Sequence, residues 1–156
     1  MNETQKNNKR CIFMNNLWLI FALLSAVTAA LVAIFGKIGL KSADANTATA
    51  VRSIIMAIFL VLVIAFQGNL TKIPAIISDR KIFLFIILSG IAGALSWLFY
   101  FLALKYGTVA KVAPIDKLSV VLATVLSVTL LGEKISKLNV IGVAIIAIGS
   151  IIVALS

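Results

Sequence analysis

The residues best suited to chemistry are Asp116 and Lys117, which follow Pro114 in the stretch VAPIDKLSV (112–120). A carboxylate can carry a proton or bind a cation, and an ammonium can bind an anion. Both residues lie in the apolar run Val109–Leu131, and Asp116 is the only carboxylate in any apolar run of this chain. Ionisable groups inside membrane spans commonly mark solute or proton paths. We therefore expect these two side chains to bind a solute or to take part in ion coupling.

The position of Pro114 leaves two interpretations open. Leu118–Leu131 has 14 residues, or about 21 Å of helix, which is too short for a hydrocarbon core of about 30 Å. In one interpretation, Pro114 opens the regular helix, Asp116 favours its positive end, and Lys117 extends to the interface. In the other, Val109–Ala113 is already embedded, the proline breaks the backbone, and both charged side chains face a water-filled cavity.

A further basic residue, Arg52, lies near the start of another apolar run. Neighbouring residues on a helix point about 100° apart, so Asp116 and Lys117 are expected to be poor partners for each other. Arg52 is the candidate partner for Asp116, because both lie near the same end of their spans. The alternative is that Arg52 extends alone to the membrane interface.

Two aromatic residues with polar tips lie in the third apolar run. The stretch SWLFY (96–100) places Trp97 and Tyr100 three residues apart, and therefore on one face of a helix. They fit either an interfacial aromatic belt or the wall of a ligand cavity. The candidate residues for solute binding or coupling are then Asp116, Lys117, Arg52, Trp97, Tyr100 and Pro114.

The composition requires lipid as the solvent. The chain is 62% apolar and 12% charged, with a mean hydropathy of +1.17, whereas soluble domains are about half apolar and a quarter charged. Most of the net charge of +9 lies between apolar blocks, so a nucleic-acid partner is not expected. Histidine is absent and Cys11 is the only cysteine. We therefore predict no metal or other cofactor and no enzymatic activity.

Five apolar blocks are long enough to cross the hydrocarbon layer as helices. They are residues 17–35, 47–66, 82–104, 109–131 and 138–155. Barrel strands would be shorter and would alternate apolar with polar residues, which these blocks do not do. The sequence predicts an all-α integral membrane bundle of five transmembrane helices in a domain at 17–156, after a polar cytoplasmic tail at 1–16.

The Lys and Arg residues between the blocks predict the orientation. Eight lie on the side of the N-terminal tail and four on the other, which places the N-terminus in the cytoplasm and the C-terminus outside. Without the tail, the counts are five and four. The body of the chain therefore has almost no orientation preference, which permits insertion both ways up.

Several runs, in this order, carry a family resemblance. They are ALLSAVTAALVAIFGKIGLK (22–41), DANTATAVR (44–52), LSGIAGALSWLFYFLALKYG (88–107), VAKVAPIDKLSVVLATVLSVTLLGEK (109–134) and NVIGVAIIAIGSIIVAL (139–155). Together they resemble the EamA branch of the drug/metabolite transporter superfamily, over nearly the whole chain after Leu17. APIDKLSV is similar to the form found in short, single-repeat bacterial and archaeal members.

The resemblance implies a transporter subunit of the inner (plasma) membrane that moves a small metabolite or drug-like solute by alternating access. Most EamA transporters are similar to two five-helix units fused with inverted topology, with the solute between them. One unit alone implies a homodimer, with antiparallel and parallel arrangements both open, or else a heteromer. The alternative function is a non-transporting assembly or accessory subunit of a larger carrier.

Overall fold

The structure is a computed structural model that describes residues 17–156, and within them helices connected by short segments account for the fold. The helices are α1 (Leu17–Gly39), α2 (Ala45–Phe66), α3 (Ile73–Ser78), α4 (Arg80–Tyr106), α5 (Val109–Asp116), α6 (Leu118–Leu131) and α7 (Lys137–Leu155). The predicted cytoplasmic tail at 1–16, with Cys11, lies outside the described residues.

Five segments are long and apolar enough to cross a membrane: α1, α2, α4, α5 together with α6, and α7. The predicted all-α integral membrane bundle of five spans is confirmed. The bounds differ by a few residues, since α4 extends two residues beyond the predicted block at each end. The short helix α3, which lies in the longest connection, was not predicted. Pro74 stands in its first turn, where proline is well tolerated.

Polar caps explain where three of the spans begin. Asp44 accepts a hydrogen bond of 2.9 Å from the Thr47 amide at the start of α2. Asp79 accepts two bonds of 3.0 Å from the first amides of α4. Ser136 accepts one of 3.2 Å from the Asn139 amide at the start of α7. Each cap satisfies amides that have no partner within their own helix.

The chain divides into two compact units, one running to Phe35 and the other comprising Gly36–Ser156. In the described part of the first unit, α1 bonds its own polar groups, and the Thr28 hydroxyl donates to the carbonyls of Leu24 and Ser25 at 3.0 Å. In the second unit, α2 packs against α4, α4 against α5, and both α5 and α6 against α7.

Burial in the second unit is concentrated at one end of its helices. Its buried residues are Leu40, Ala45, Thr49, Phe101, Leu104 and Ser150. They lie where α2 begins and where α4 and α7 end, and we call residues 36–52, 97–118 and 146–156 the packed end. Residues 60–90 and 126–142 form the exposed end, and none of them is buried.

Candidate functional site

Arg52 lies on α2 about 10 Å along the helix from its first residue and stacks on aromatic rings of α4. Its guanidinium carbon is 3.8 Å from the centroid of the Trp97 ring and 5.0 Å from that of the Phe101 ring. A cation within about 6 Å of a ring centroid is attracted by the electron-rich ring face. The contact therefore holds a half-buried charge between two membrane-spanning helices.

Three aromatic rings of α4 pack against one another beside this charge. Trp97 and Tyr100 meet edge to face, with centroids 5.7 Å apart and an angle of 88°. Phe101 lies 5.9 Å from Trp97 and 6.2 Å from Tyr100. Tilted and edge-to-face pairs are the favoured arrangements of aromatic rings. We call Arg52, Trp97, Tyr100 and Phe101 the arginine–aromatic cluster.

Phe101 was not among the predicted site residues, although the sequence contains a sign of it. It follows Trp97 by four positions and therefore lies on the same helix face. Trp97 and Tyr100 are half-buried, whereas Phe101 is only 3% exposed. Trp97 and Phe101 thus contact Arg52 of α2, and Tyr100 packs on these two rings.

The predicted pairing of Arg52 with Asp116 is wrong. Within residues 17–156 no ion pair joins them, and Asp116 Oδ2 instead accepts a hydrogen bond of 3.3 Å from Lys117 Nζ. The expectation that these neighbours are poor partners is also wrong. The rule of about 100° describes where side chains leave the backbone, and the flexible four-carbon stem of lysine can bring its ammonium back. Arg52 is stacked on rings rather than extended alone.

The fourth span is interrupted just after Pro114. Helix α5 ends at Asp116, Lys117 lies between the helices, and α6 begins at Leu118. Proline has no amide proton, and its ring clashes with the carbonyl four residues earlier, so it weakens the helix around it. Helix α5 nevertheless continues through Pro114 as far as Asp116 before the break. The Lys117 amide bonds to the Pro114 carbonyl at 3.1 Å, a tighter turn than in an α-helix.

This geometry corrects one of the two interpretations of the stretch. Pro114 does not open the regular helix, because it lies inside α5 and the break comes three residues after it. Val109–Ala113 is already helical, as the other interpretation requires. Asp116 is half-buried and Lys117 is exposed.

Lys37 was predicted only as a charge between spans, yet it makes a specific contact at the packed end. Its ammonium donates hydrogen bonds to the carbonyl of Leu104 and, at 2.8 Å, to that of Gly107. These carbonyls lie at the end of α4, where the helix dipole is negative. Unpaired carbonyls at a helix end require donors, but nothing in the sequence indicates which lysine supplies them.

Two glycines allow close approaches at the same end. A Cβ atom at Gly36 would lie 3.0 Å from atoms of the Phe101 ring. A Cβ atom at Gly107 would lie 2.9 Å from Val112 Cγ2 and 3.1 Å from the Ala103 carbonyl oxygen. The packed end therefore depends on glycine at two positions where other atoms come close to the backbone.

Asp44, just before α2, has a carboxyl group shifted by its hydrogen bonds. Bonds from the Thr47 amide and the Thr47 hydroxyl, with the Lys105 ammonium 4.0 Å away, hold the pKa of Asp44 below its usual value of 3.8. The bonds from Thr47 contribute most because they favour the ionised form. Asp44 therefore serves the start of α2 as a charged cap.

A shallow groove of about 500 Å³ runs along α2 beside the cluster. Asp44, Thr47 and Arg52 are its polar lining residues, and Val51, Ile55 and Met56 line the rest together with two alanines. In the part of the chain that the structure describes, no group of His, Cys, Asp or Glu could hold a metal ion. The chemistry available here is charge recognition, by Arg52 at the cluster and by Asp116 and Lys117 at the break.

Five apolar spans define a multi-pass membrane protein. Charged groups lie inside its spans, as Arg52 does in the second and Asp116 and Lys117 do in the fourth. A family model, the EamA-like transporter family, matches residues 16–155. The chain belongs to this family of transporters, and the resemblance seen in the sequence is confirmed.

One relative extends the comparison. A protein of Sinorhizobium sp named "Uncharacterized transporter in cobO 3'region" is 43% identical to this chain over 141 residues. The match covers 90% of this chain and 99% of the relative, so the relative also has about the length of one five-helix unit. No solved structure matches the chain.

Proposed function

We propose that the protein moves a small metabolite or drug-like solute across the plasma membrane by alternating access. The observation that carries the proposal is the helix break that holds Asp116 and Lys117 inside the 23-residue fourth span. Discontinuous helices form solute and ion sites in transporters built from repeated units. Membership of a transporter family and the name of the relative from Sinorhizobium sp support the same class.

The two charges at the break have different roles in this proposal. Asp116 is the only carboxylate within the described membrane spans, and it carries the proton if transport is proton-coupled. The Lys117 ammonium lies 3.3 Å from Asp116 Oδ2 and pairs with this carboxylate. Protonation of Asp116 or arrival of a solute frees the ammonium, so loading of the site changes the contacts at the helix break.

The functional unit that we propose is a homodimer of five-helix units, with an antiparallel arrangement as the favoured form. A midplane site is usually framed by two repeats, and one five-helix unit supplies one of them. The relative of similar length supports a single unit as the building block. The nearly equal charge counts of the body permit insertion in both orientations, although the tail favours a cytoplasmic N-terminus and an external C-terminus.

Uptake by the purified protein in liposomes tests the transport proposal, using a panel of radiolabelled organic anions and organic cations. We expect Asp116→Asn and Lys117→Ala each to lower uptake by about tenfold or more, because a charged contact is worth at least about 1.4 kcal/mol. The matched control is Lys134→Gln, which removes a cation from the connection after α6 and should transport normally.

The outcomes separate the two candidate functions. Normal uptake by both Asp116→Asn and Lys117→Ala would exclude the proposed roles of the break. A wild-type protein that transports none of the panel, but is recovered bound to another carrier subunit, would favour the accessory-subunit alternative.

Reporters that work on opposite membrane sides, fused to the C-terminus, test the arrangement of the dimer. Activity of only one reporter would exclude insertion in both orientations.

A further inference from the structure

The planar face of the Arg52 guanidinium stacks on aromatic rings, but no described residue pairs with its N–H groups. Within residues 17–156 its guanidinium makes no hydrogen bond and no ion pair, although it carries five donors. A charge within a span is costly unless it is paired. Because no side-chain nitrogen or oxygen of the described residues is both buried and without a partner, these donors are accessible from the surface.

The carboxylates of the packed end already have other partners. Asp44 accepts from the Thr47 amide and hydroxyl and lies 4.0 Å from the Lys105 ammonium. Asp116 accepts from Lys117. In the described part of the second unit, therefore, the chain supplies Arg52 with aromatic rings and leaves its anion to be supplied from outside.

The groove along α2 gives such an anion access to Arg52. It is a shallow groove of about 500 Å³ that is lined by residues 43–56. Near Arg52 its lining is apolar, from Val51 to Met56, and its one carboxylate, Asp44, lies about 12 Å away along the helix. The end of the groove that holds Arg52 is therefore complementary to an anion with an apolar body. The rings of α4 hold the guanidinium in place, which lowers the entropy lost when a ligand binds.

We propose that Arg52, positioned by Trp97 and Phe101, binds the oxyanion group of a small amphipathic solute whose apolar part lies in the groove along α2. The planar guanidinium matches the two oxygens of a carboxylate or phosphate. Identifying this ligand with the carried solute rests on the proposed transport function. The headgroup of a phospholipid presents the same oxyanion chemistry, and it is the second source that the experiment must distinguish.

The fluorescence of Trp97 reports directly on binding at this site. The chain has two tryptophans, so Trp18→Phe leaves Trp97 as the single tryptophan, with the guanidinium over its ring. The full-length variant in maltoside micelles, which contain no phosphate, is titrated with cyclohexanecarboxylate, with cyclohexylmethanol as the neutral control, and with dihexanoyl phosphatidylglycerol. We expect a saturable change of Trp97 fluorescence with the oxyanions and none with the alcohol.

Substitutions of Arg52 assign the response. In the same background, Arg52→Gln should raise the midpoint concentration by about tenfold or more, since a charge-assisted hydrogen bond is lost. Arg52→Lys should give a smaller rise, because the charge remains and the planar fork is lost. Lys41→Gln is the matched control, since it removes an exposed cation of the packed end and should leave the midpoint unchanged.

Each outcome has one meaning for the proposal. A lower midpoint for the carboxylate supports the site and a solute as its ligand. A lower midpoint for the short-chain lipid supports the site and assigns it to a headgroup. No saturable response to either oxyanion, or equal midpoints in wild type and Arg52→Gln, would overturn it. Binding without uptake in liposomes would leave this site standing and would contradict the transport proposal instead.

Discussion

The packed end and the exposed end of residues 36–156 are built from the same kind of apolar helix, yet only the packed end buries side chains. Polar groups of the packed end cross between elements, as Lys37 does to the end of α4 and Arg52 to Trp97. Polar caps of the exposed end, such as Asp79 and Ser136, bond within their own helix.

This difference shows what holds membrane helices together. Lipid is as apolar as a leucine side chain, so apolar burial alone gives little drive for helices to associate. Contacts between polar groups and close approach at small residues supply it instead. The packed end has both, and we expect the helices of the exposed end to separate or to meet a second copy more readily.

The strongest test of this comparison is truncation of a buried leucine at one end and an exposed leucine at the other. Leu104 is 0% exposed and Leu130 is 76% exposed. Leu104→Ala should lower the free energy of unfolding by about 2–4 kcal/mol, because it leaves a cavity. Leu130→Ala should change it by less than about 0.5 kcal/mol. Denaturant titration in micelles measures both, and similar losses would show that the packed end has no special role.

Removal of the cation at the end of α4 should have the next largest effect. Lys37→Met keeps most of the apolar stem but loses the bonds to the Leu104 and Gly107 carbonyls. We expect a loss of about 2 kcal/mol in the same titration, since hydrogen bonds to charged groups contribute about 1.5–3 kcal/mol. Lys134→Met is the control from the exposed end. A stable Lys37→Met variant would mean that solvent can replace the ammonium.

Adding a methyl group to a glycine, rather than removing atoms, also distinguishes the packed end from the exposed end. At Gly107 the new atom would lie 2.9 Å from Val112 Cγ2, whereas at Gly90 it would meet nothing within 4 Å. Gly107→Ala should destabilise by about 1–2 kcal/mol through overpacking, and Gly90→Ala should be neutral or stabilise by up to about 1 kcal/mol. Thermal unfolding monitored by circular dichroism compares them, and equal shifts would contradict the close approach.

The smallest effect is expected from the charged cap at Asp44. Its pKa is lower in the folded protein, so its stabilisation is present above the unfolded pKa and is lost as pH falls through the folded value. Wild type should therefore lose stability more steeply than Asp44→Asn between about pH 5 and pH 3. The midpoint of unfolding, measured across that range, checks the sign. Parallel curves for the two proteins would exclude a role for the ionised cap.

Much of the fold could be predicted because the signals for it are local. The five spans, the break near Pro114 and the shared face of Trp97 and Tyr100 follow from hydropathy, proline chemistry and helix spacing. The helix α3 was missed because six residues with one proline are too few to show a helical period. The pairing of Asp116 was mispredicted because a flexible lysine side chain does not follow the direction of its Cβ.

The sequence by itself determined that this protein is a five-span membrane bundle of the EamA-like transporter family, since span length and apolar content belong to each segment separately. Only the tertiary structure decided which groups meet. Lys37 bonds to a carbonyl 70 residues away, and Arg52 stacks on rings of another helix. Such partners depend on which helix faces come together. Lipid solvates all apolar faces about equally, so specific polar and aromatic contacts determine which faces pair.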